Sequence, residues 1–351
     1  MNHTVFITGA AGYIGAMLAH QFAGRDDVRQ IVCLDRAARP QLLEGVSKII
    51  WIQAFTNDST WQKSVAEYNP DIVIHTAWQI REFYGKGKEQ WQLNVVGSDH
   101  VFEFAFSTPS VKRLVHYSTV ASYSALPENT YEHVFTEDVP FRDSEYLYAQ
   151  EKKVTEEHLK ALYEKAKKER APYPQISIIR PASITGPKGR YSRKNFGLQS
   201  ALSGQLKETF AQRLVTRLLA WMPITPLWCR QFVHEDDIAD ITALLAFGPT
   251  NHEYEAFNAC PLGSIVTGKD MARAVGKNTI TLHPQIIRAV FFVAWHLSRG
   301  GIPTSPGGWK TYSYPIVVDG TKISKKYGYT YKMSPKDAFT KKEGRYMQYV
   351  K

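Results

Sequence analysis

The chain has 351 residues, 44% of them apolar and 13% aromatic, and a formal net charge of +10. This length and composition exclude a disordered protein and allow one large domain or two modest ones. The three cysteines, Cys33, Cys229 and Cys260, lack metal-site spacing, and their odd number favours free thiols in a reducing, cytoplasmic environment. No basic leader precedes "VFITGAAG", and the apolar run 286–297 is too short to cross a bilayer. We therefore expect neither a signal peptide nor a membrane span.

Short apolar runs alternate with helix-like stretches through the first half of the chain. The runs are rich in β-branched residues and apolar on both faces, which is typical of buried parallel strands. The predicted strands are 5–10, 31–35, 49–55, 71–77, 113–119 and 176–182, and the predicted helices are 13–24, 94–107 and 146–170. Such alternation predicts an α/β fold, a Rossmann-type doubly wound parallel sheet with ligands at the carboxyl ends of its strands.

The pattern changes after Ile184. Residues 185–231 are rich in Gly, Arg, Trp and Pro and include an amphipathic piece at 208–221. Residues 231–247 then predict a strand followed by a helix with an acidic start, and 254–260 predict an extra strand. The prediction is a dinucleotide-binding domain and a smaller, mixed α/β substrate lobe, with the boundaries 1–184 plus 232–260 and 185–231 plus 261–351.

The stretch "ITGAAGYIG" (7–15) places Gly9, Gly12 and Gly15 between a predicted strand and a predicted helix. Glycines let bare backbone approach a pyrophosphate, and the helix N-terminus offers it free N–H groups. The second strand ends at Asp35, whose carboxylate can accept hydrogen bonds from both hydroxyls of an adenosine ribose. These features predict NAD as the cofactor, while Arg36 keeps NADP open because a guanidinium can hold a 2′-phosphate.

The stretch "YLYAQEK" (146–152) places Tyr148 and Lys152 on one helix face, with Tyr146 pointing elsewhere. A tyrosine with a pKa near 10 becomes a useful acid/base when a cation within roughly 4–6 Å stabilises its phenolate. Spacing alone also allows an ordinary amphipathic helix.

Seven motifs in order resemble the extended branch of the short-chain dehydrogenase/reductase family, from residue 4 to about 260. They are "TGAAGYIG" (8–15), "HTAW" (75–78), "NVVGS" (94–98), "YSTVASYS" (117–124), "YAQEK" (148–152), "RPASITGP" (180–187) and "FVHEDDIAD" (232–240). The resemblance is to its NAD-dependent epimerase/dehydratase members or to its 3β-hydroxysteroid-dehydrogenase-like members.

The resemblance implies roles for individual residues. Tyr148 would be the general acid/base, Lys152 would also hold the nicotinamide ribose, and Thr119 would orient the substrate oxygen, with Ser118 and Ser122 as alternatives. The implied cofactor contacts are Gly9, Gly12, Tyr13, Ile14, Asp35, Arg36, Phe55, Ala77, Tyr148, Lys152 and Pro181. The implied substrate contacts are Trp78, Thr119 and Ser183. The family also implies a homodimer through the helix of Tyr148 and the helix 94–107.

Three departures from the family pattern bear on the substrate. Ala54 stands where many relatives carry an Asp near the adenine, and Ser183 stands where sugar-nucleotide enzymes commonly carry an Asn. The stretch "STVAS" also lacks the Thr-Asp-Glu triplet of dehydratases. We therefore expect an oxidoreductase that interconverts a secondary alcohol and a ketone on a fairly apolar substrate. The alternatives are a nucleotide-sugar epimerase with tightly bound NAD and a cofactor-sensing protein without turnover.

Two histidines are predicted to have structural roles. His75 and His234 lie at strand ends, where we expect hydrogen bonds. His234 with Asp236 and Asp237 imitates a metal cluster, but adjacent aspartates face different ways and also suit a helix N-terminus. We expect no metal.

The positive charge is concentrated at the C-terminus. Residues 321–351 hold nine Lys or Arg residues and two acidic residues. This pattern suits either an anionic partner, including peripheral contact with a membrane surface, or a solvated and partly frayed segment, which we expect. We expect no nucleic-acid partner. The apolar pieces 218–228 and 291–297 are predicted to pack inside the lobe, with a substrate pocket or a lipid-contacting face as alternatives.

Overall fold

A computed structural model describes residues 2–190 and 221–349, except Ser264, Val275 and Lys342. The predicted amphipathic piece 208–221, apart from Trp221, and the stretch 191–220 of the predicted lobe lie outside the described residues.

The strands follow the alternating pattern of the sequence. They are β1 (His3–Thr8), β2 (Val28–Asp35), β3 (Ile49–Gln53), β4 (Ile72–His75), β5 (Arg113–Tyr117), β6 (Val134–Phe135), β7 (Gln175–Pro181), β8 (Ser183–Thr185), β9 (Trp221–Ile224), β10 (Cys229–Arg230), β11 (Phe232–His234), β12 (Tyr254–Ala259), β13 (Val266–Thr267), β14 (Asn278–Thr281) and β15 (Val317–Val318). Seven of them form one parallel sheet in the order β12-β7-β5-β4-β1-β2-β3. The predicted doubly wound sheet, including the extra strand at 254–260, is confirmed.

The helices connect these strands. They are α1 (Tyr13–Ala23), α2 (Trp61–Ala66), α3 (Gly87–Trp91), α4 (Gly97–Ser107), α5 (Leu147–Glu169), α6 (Pro187–Arg190), α7 (Glu235–Phe247), α8 (Gly268–Ala274), α9 (Pro284–Leu297), α10 (Gly308–Thr311), α11 (Lys322–Tyr327) and α12 (Pro335–Thr340). A π-helical turn over Gln92–Val96 joins α3 to α4. Within the described residues, the helices lack the combination of length and apolarity that crossing a membrane requires.

The sheet is buried on both faces, so successive strand residues enter different cores. Val5 and Ile7 of β1 pack in the core that contains Leu18 of α1 and Ile238 of α7. Phe6, between them in the chain, packs in the opposite core with the residues of α2, α4 and α5. This arrangement explains why the strands are apolar throughout rather than alternating.

The strand order reverses between β1 and β4, which lie side by side with Thr8 opposite His75. In an open parallel sheet, ligands bind where the order reverses, outside the carboxyl ends of the strands. We therefore expect the ligand-binding site at the loops after β1 and β4.

Smaller elements pack beside the main sheet. Strand β8 pairs with β11, β9 with β14, β10 with β13 and β6 with β15. A third apolar cluster joins Trp228 and Phe232 to residues of α8 and α12. The division into 1–184 plus 232–260 and the remaining lobe stays a prediction.

The basic C-terminal segment is folded rather than frayed, contrary to the expectation from its charge. Ile323 of α11 and Tyr346 are buried. Five of its cations form ion pairs: Lys322 and Lys326 with Glu255, Lys332 and Arg345 with Asp240, and Lys341 with Asp337. Five cations of the segment are therefore held by carboxylates, two of which, Glu255 and Asp240, belong to the surface on which the segment packs.

Candidate active site

The glycine loop after β1 is held tightly against the loop after β4. Gly9 has a positive φ of 72°, and a Cβ at this position would lie 2.5 Å from the Ala77 nitrogen. A Cβ on Gly15 would lie 2.2 Å from the Gly9 carbonyl oxygen, so α1 also approaches the loop too closely for a side chain. The loop therefore presents bare backbone at the start of α1, as a pyrophosphate requires.

Asp35 ends β2 beside this loop, and its carboxylate has a fixed orientation. Its oxygens accept hydrogen bonds from the Ala11 and Ala37 backbone N–H groups, each at 2.9 Å. The guanidinium of Arg36 donates to the Gln79 side-chain oxygen at 2.8 Å, across the end of the site. Asp35 is thus oriented by the backbone, and Arg36 is engaged by a neutral amide.

Two cavities meet at the strand ends. The smaller, of about 300 Å³, is lined by Gly9, Gly12, Asp35, Arg36, Ala54, Phe55, Ala77 and Trp78, among others. The larger, of about 530 Å³, is lined by Gly12, Tyr13, Ile14, Trp78, Thr119, Tyr146, Tyr148, Pro181, Ser183 and Arg230, among others. Because both share the glycine loop and Trp78, they form one groove across the switch point of the sheet.

Tyr148 lies in the first turn of α5 and points into the larger cavity. Its hydroxyl forms a hydrogen bond with the Thr119 hydroxyl, and burial raises the pKa of Tyr148 while that bond partly offsets the rise. Thr119 itself caps the turn 120–123 by accepting from the Ala121 N–H at 3.1 Å. The Ser122 hydroxyl instead donates to the Ala149 carbonyl, away from the cavity, so the geometry favours Thr119 over Ser122.

Lys152 lies one turn further along α5, beneath the cavity. Its ammonium donates to the Tyr117 carbonyl and lies 3.6 Å from the centroid of the Trp78 ring. Burial lowers the pKa of Lys152 to about 7, against the opposing effect of Glu156 and Glu151. The Tyr148–Lys152 spacing predicts a lowered pKa for Tyr148, but burial of the phenol dominates and the pKa of Tyr148 is raised.

Lys152→Met should change how stability depends on pH. The unfolded chain holds this proton up to about pH 10.5 and the folded chain only up to about pH 7, so the unfolded state binds more protons in that window. The wild-type free energy of unfolding should therefore gain about 2 kcal/mol from this group between pH 7 and 9. Urea unfolding at several pH values checks this, and the Met variant should lack the gain.

Lys153→Met is the matched control, because Lys153 is the next residue and its ammonium pairs with Asp143 near the surface. This variant should keep the wild-type pH dependence. An unchanged pH slope in Lys152→Met would contradict the assignment of a lowered pKa to Lys152.

His75 and His234 have the structural roles predicted for them. The His75 ring is hydrogen-bonded to the Thr8 and Ser98 hydroxyls at 2.7 and 2.8 Å, and burial lowers its pKa to about 3. His234 caps α7 by accepting from the Asp236 N–H. The carboxylate of Asp237 accepts from the Tyr329 hydroxyl at 2.7 Å, so it anchors the C-terminal segment.

Arg230 is a cavity residue that the motif analysis missed. Its guanidinium donates weakly to the Ser183 hydroxyl at 3.4 Å and lies 5.5 Å from the Tyr312 ring centroid. Among the described residues, no carboxylate lies within ion-pair distance of it. The signal in the sequence is its position two residues before "FVHEDDIAD". Arg230 ends β10, and the next strand, β11, pairs with β8 so that Phe232 lies opposite Ser183.

The fold and this geometry agree with a family model for "NAD dependent epimerase/dehydratase family", which matches residues 5–260. The chain belongs to this family. The description of the family names NAD-dependent epimerases and dehydratases.

Epimerase/dehydratase relatives match parts of the chain. A CDP-glucose 4,6-dehydratase of Salmonella typhimurium is 27% identical over 125 residues, 34% of this chain and 35% of the relative. A UDP-glucose 4-epimerase of Mycolicibacterium smegmatis is 27% identical over 194 residues, 52% of this chain and 56% of the relative. The chain thus spans about a third to just over half of the length of these relatives.

Solved structures of similar fold cover nearly the whole chain. The enzyme WbmG of Bordetella bronchiseptica, in complex with NAD and UDP, is 20% identical with a TM-score of 0.67, covering 99% of this chain and 94% of that one. The UDP-glucuronic acid 4-epimerase of Bacillus cereus, in complex with UDP-glucuronic acid and NAD, is 19% identical with a TM-score of 0.66 and 96% coverage of both chains. At these identities the likeness shows the shared fold.

The residues of the groove fit NAD. The loop has no room for a Cβ at Gly9, so it presents bare backbone to a bound pyrophosphate. The Asp35 carboxylate is held at the groove by two backbone N–H groups. All predicted cofactor and substrate contacts except Lys152 line one of the two cavities, and Lys152 lies beneath them. Their individual roles stay predictions.

Proposed function

We propose that this protein oxidises and reduces a secondary alcohol carbon of a nucleotide-linked sugar, with Tyr148 as the proton-exchanging group. The observation that carries the proposal is the Arg230 cation facing the larger cavity near Tyr148. A diphosphate would supply the negative charge that the described residues do not provide there. This favours the nucleotide-sugar alternative over the fairly apolar substrate expected from the sequence.

The proton chemistry follows from the residues at the cavity. Oxidation of an alcohol to a ketone removes a hydride from carbon and a proton from oxygen. Bound NAD would accept the hydride, and its reduced form would return it. Tyr148 would take the proton as a phenolate in oxidation and return it as a phenol in reduction, while the Thr119 hydroxyl positions Tyr148 and the substrate oxygen. The raised pKa of Tyr148 keeps the phenol protonated at neutral pH, which suits protonation of a ketone.

The departures at Ser183 and "STVAS" affect the type of reaction. An enzyme without the Thr-Asp-Glu triplet has no acid/base set for elimination of water, so we favour epimerisation or simple oxidation over dehydration. Epimerisation returns the hydride to the other face of the same carbon, and the proton returns from Tyr148.

The second candidate is an uncharged, largely apolar secondary alcohol. The apolar walls of the larger cavity favour it, since Trp78, Ile80, Ile184 and Ile316 all line that cavity. A nucleotide sugar would use these walls for its rings and Arg230 for its charge, whereas an uncharged substrate would leave Arg230 without a function.

Arg230→Gln should weaken the binding of UDP, which serves as the probe of the diphosphate site. Loss of a charge-assisted hydrogen bond should lower the affinity about 10- to 100-fold while NAD affinity stays unchanged. Isothermal titration of UDP into the NAD-loaded protein measures the effect. Lys325→Gln removes an exposed cation of α11 and should bind UDP like the wild type. Equal UDP affinity in wild type and Arg230→Gln would refute the proposed diphosphate site.

A further inference from the structure

Helix α9 exposes an apolar stripe that is not used in the core. Its inward face buries Ile287 and Trp295, while the side chains at spacings of four, three and four residues point outward. These are Ile286, Val290, Val293 and Leu297, and they are between 43% and 83% exposed. A contiguous apolar stripe that is exposed to solvent is typical of a surface that contacts another molecule or a membrane.

The stripe continues onto the loop at the entrance of the larger cavity. The Tyr84 ring packs on Trp295 at 5.6 Å between centroids, and its hydroxyl is hydrogen-bonded to His296 at 3.0 Å. Ile80, in the same loop, is 59% exposed and also lines the larger cavity. The apolar face thus extends from α9 to the cavity entrance.

The stretch of sequence that contains α9 is basic. Residues 271–318 contain no Asp or Glu and five cations, which are Arg273, Lys277, Arg288, Arg299 and Lys310. Arg273 and Lys310 form ion pairs, whereas the other three have no carboxylate within ion-pair distance among the described residues. Carboxylates from other parts of the chain also lie here, since Glu145 pairs with Lys310 and Glu82 belongs to the loop 78–88. An apolar stripe in a stretch that keeps three cations unpaired among the described residues is complementary to an anionic lipid surface.

A groove beside α9 favours a lipid over a second copy of the chain as the partner of this face. It has a volume of about 460 Å³ and an aromatic lining of Phe291, Phe292, Trp295 and Trp309. Arg288 and Glu145 also line it, and Glu145 is already paired with Lys310. Such a shape suits an acyl chain next to an anionic headgroup. A two-fold dimer through this face would instead bring the basic stretches of both copies together, which costs binding energy.

We propose that α9 and the loop 78–88 form a docking face for anionic membrane surfaces, which places the entrance of the larger cavity next to the lipid headgroups. This attachment uses α9 rather than the basic C-terminal segment, whose cations are largely paired. The proposal is independent of the proposed enzymatic function.

Flotation of the full-length protein with vesicles tests it. The wild type should float with phosphatidylcholine vesicles that contain about 30% phosphatidylserine and stay soluble with pure phosphatidylcholine, and added salt should release it. The double variant Val293→Gln/Leu297→Gln should lose binding at least about tenfold because it removes apolar area from the bilayer contact. Both side chains are exposed, and an unchanged melting temperature and NAD affinity establish that the variant is folded.

Two controls separate the alternatives. Leu262→Gln removes an exposed leucine elsewhere, and Lys325→Glu reverses a charge of the C-terminal segment. Both variants should float like the wild type. The proposal is overturned if the wild type does not float at low salt. It is also overturned if Lys325→Glu abolishes flotation, or if sedimentation equilibrium shows a wild-type dimer that the α9 double variant dissociates.

Discussion

Tyr148→Phe should lower the turnover of the nucleotide sugar that we propose as substrate about 10²- to 10⁴-fold, the usual contribution of a general acid/base. The variant loses only the hydroxyl that contacts Thr119 and keeps the ring that packs edge-on to Trp78 at 6.4 Å between centroids. NAD affinity and melting temperature should therefore change little. Steady-state kinetics with product analysis, together with an NAD titration, measures both effects.

Tyr163→Phe is a matched control because it also removes a tyrosine hydroxyl from α5. The Tyr163 hydroxyl donates a hydrogen bond to Glu253 at 2.8 Å. Turnover should stay at the wild-type level in this variant. Wild-type turnover in Tyr148→Phe would show that another group moves the proton. In the wild type, the rate of alcohol oxidation should rise with pH, because the raised pKa of Tyr148 makes the phenolate scarce near neutrality.

Gly9→Ala should abolish measurable NAD binding and destabilise the fold. Its backbone has a φ of 72°, and the new Cβ would lie 2.5 Å from the Ala77 nitrogen and 2.6 Å from the Ala77 Cα. The glycine loop and the loop after β4 would have to separate at the point where a pyrophosphate would contact the backbone. We expect a loss of about 3 kcal/mol in unfolding free energy and at least a hundredfold loss, about 2.7 kcal/mol, in NAD affinity.

Gly45→Ala separates the two causes of that loss. Gly45 has nearly the same φ, 73°, but a Cβ there would meet nothing within 4 Å. Its cost should be the conformational term alone, about 1 kcal/mol, with wild-type NAD affinity. Urea unfolding and NAD titration of both variants measure the difference. If Gly9→Ala bound NAD as well as Gly45→Ala, the close approach of the two loops would not matter for the cofactor.

The sheet was predictable because its signal is local and repeated. Each strand needs apolar residues on both faces, so Val5, Phe6 and Ile7 of β1 identify a buried strand without any knowledge of its neighbours. The glycine spacing and Asp35 follow from the chemistry of one loop and one strand end. These features depend on a few consecutive residues, and sequence reasoning finds such features.

The electrostatics of the site depend on partners that are distant in sequence. The Lys152 ammonium lies against the Tyr117 carbonyl and the Trp78 ring, and burial rather than Lys152 determines the pKa shift of Tyr148. Arg230 lies in β10, which pairs with β13, and it reaches Ser183 because the next strand, β11, pairs with β8. Neither relation appears in the spacing of residues along the chain.

The C-terminal segment was mispredicted for the same reason. Its positive charge alone predicts a solvated segment, but Lys326 pairs with Glu255 of β12 and Arg345 with Asp240 of α7. A charge run viewed in isolation does not show which acidic groups will face it. The homodimer through α5 and the helix before it stays a prediction.

The most direct measurement of the central claim is product analysis by NMR after incubation of the protein and NAD with UDP-, TDP- and CDP-linked sugars. We predict that the wild type converts at least one nucleotide sugar to its epimer or keto form, and that Tyr148→Phe converts it about 10²- to 10⁴-fold more slowly. A wild-type protein that leaves every nucleotide sugar unchanged, while it oxidises an uncharged sterol or flavonoid alcohol, would contradict the account.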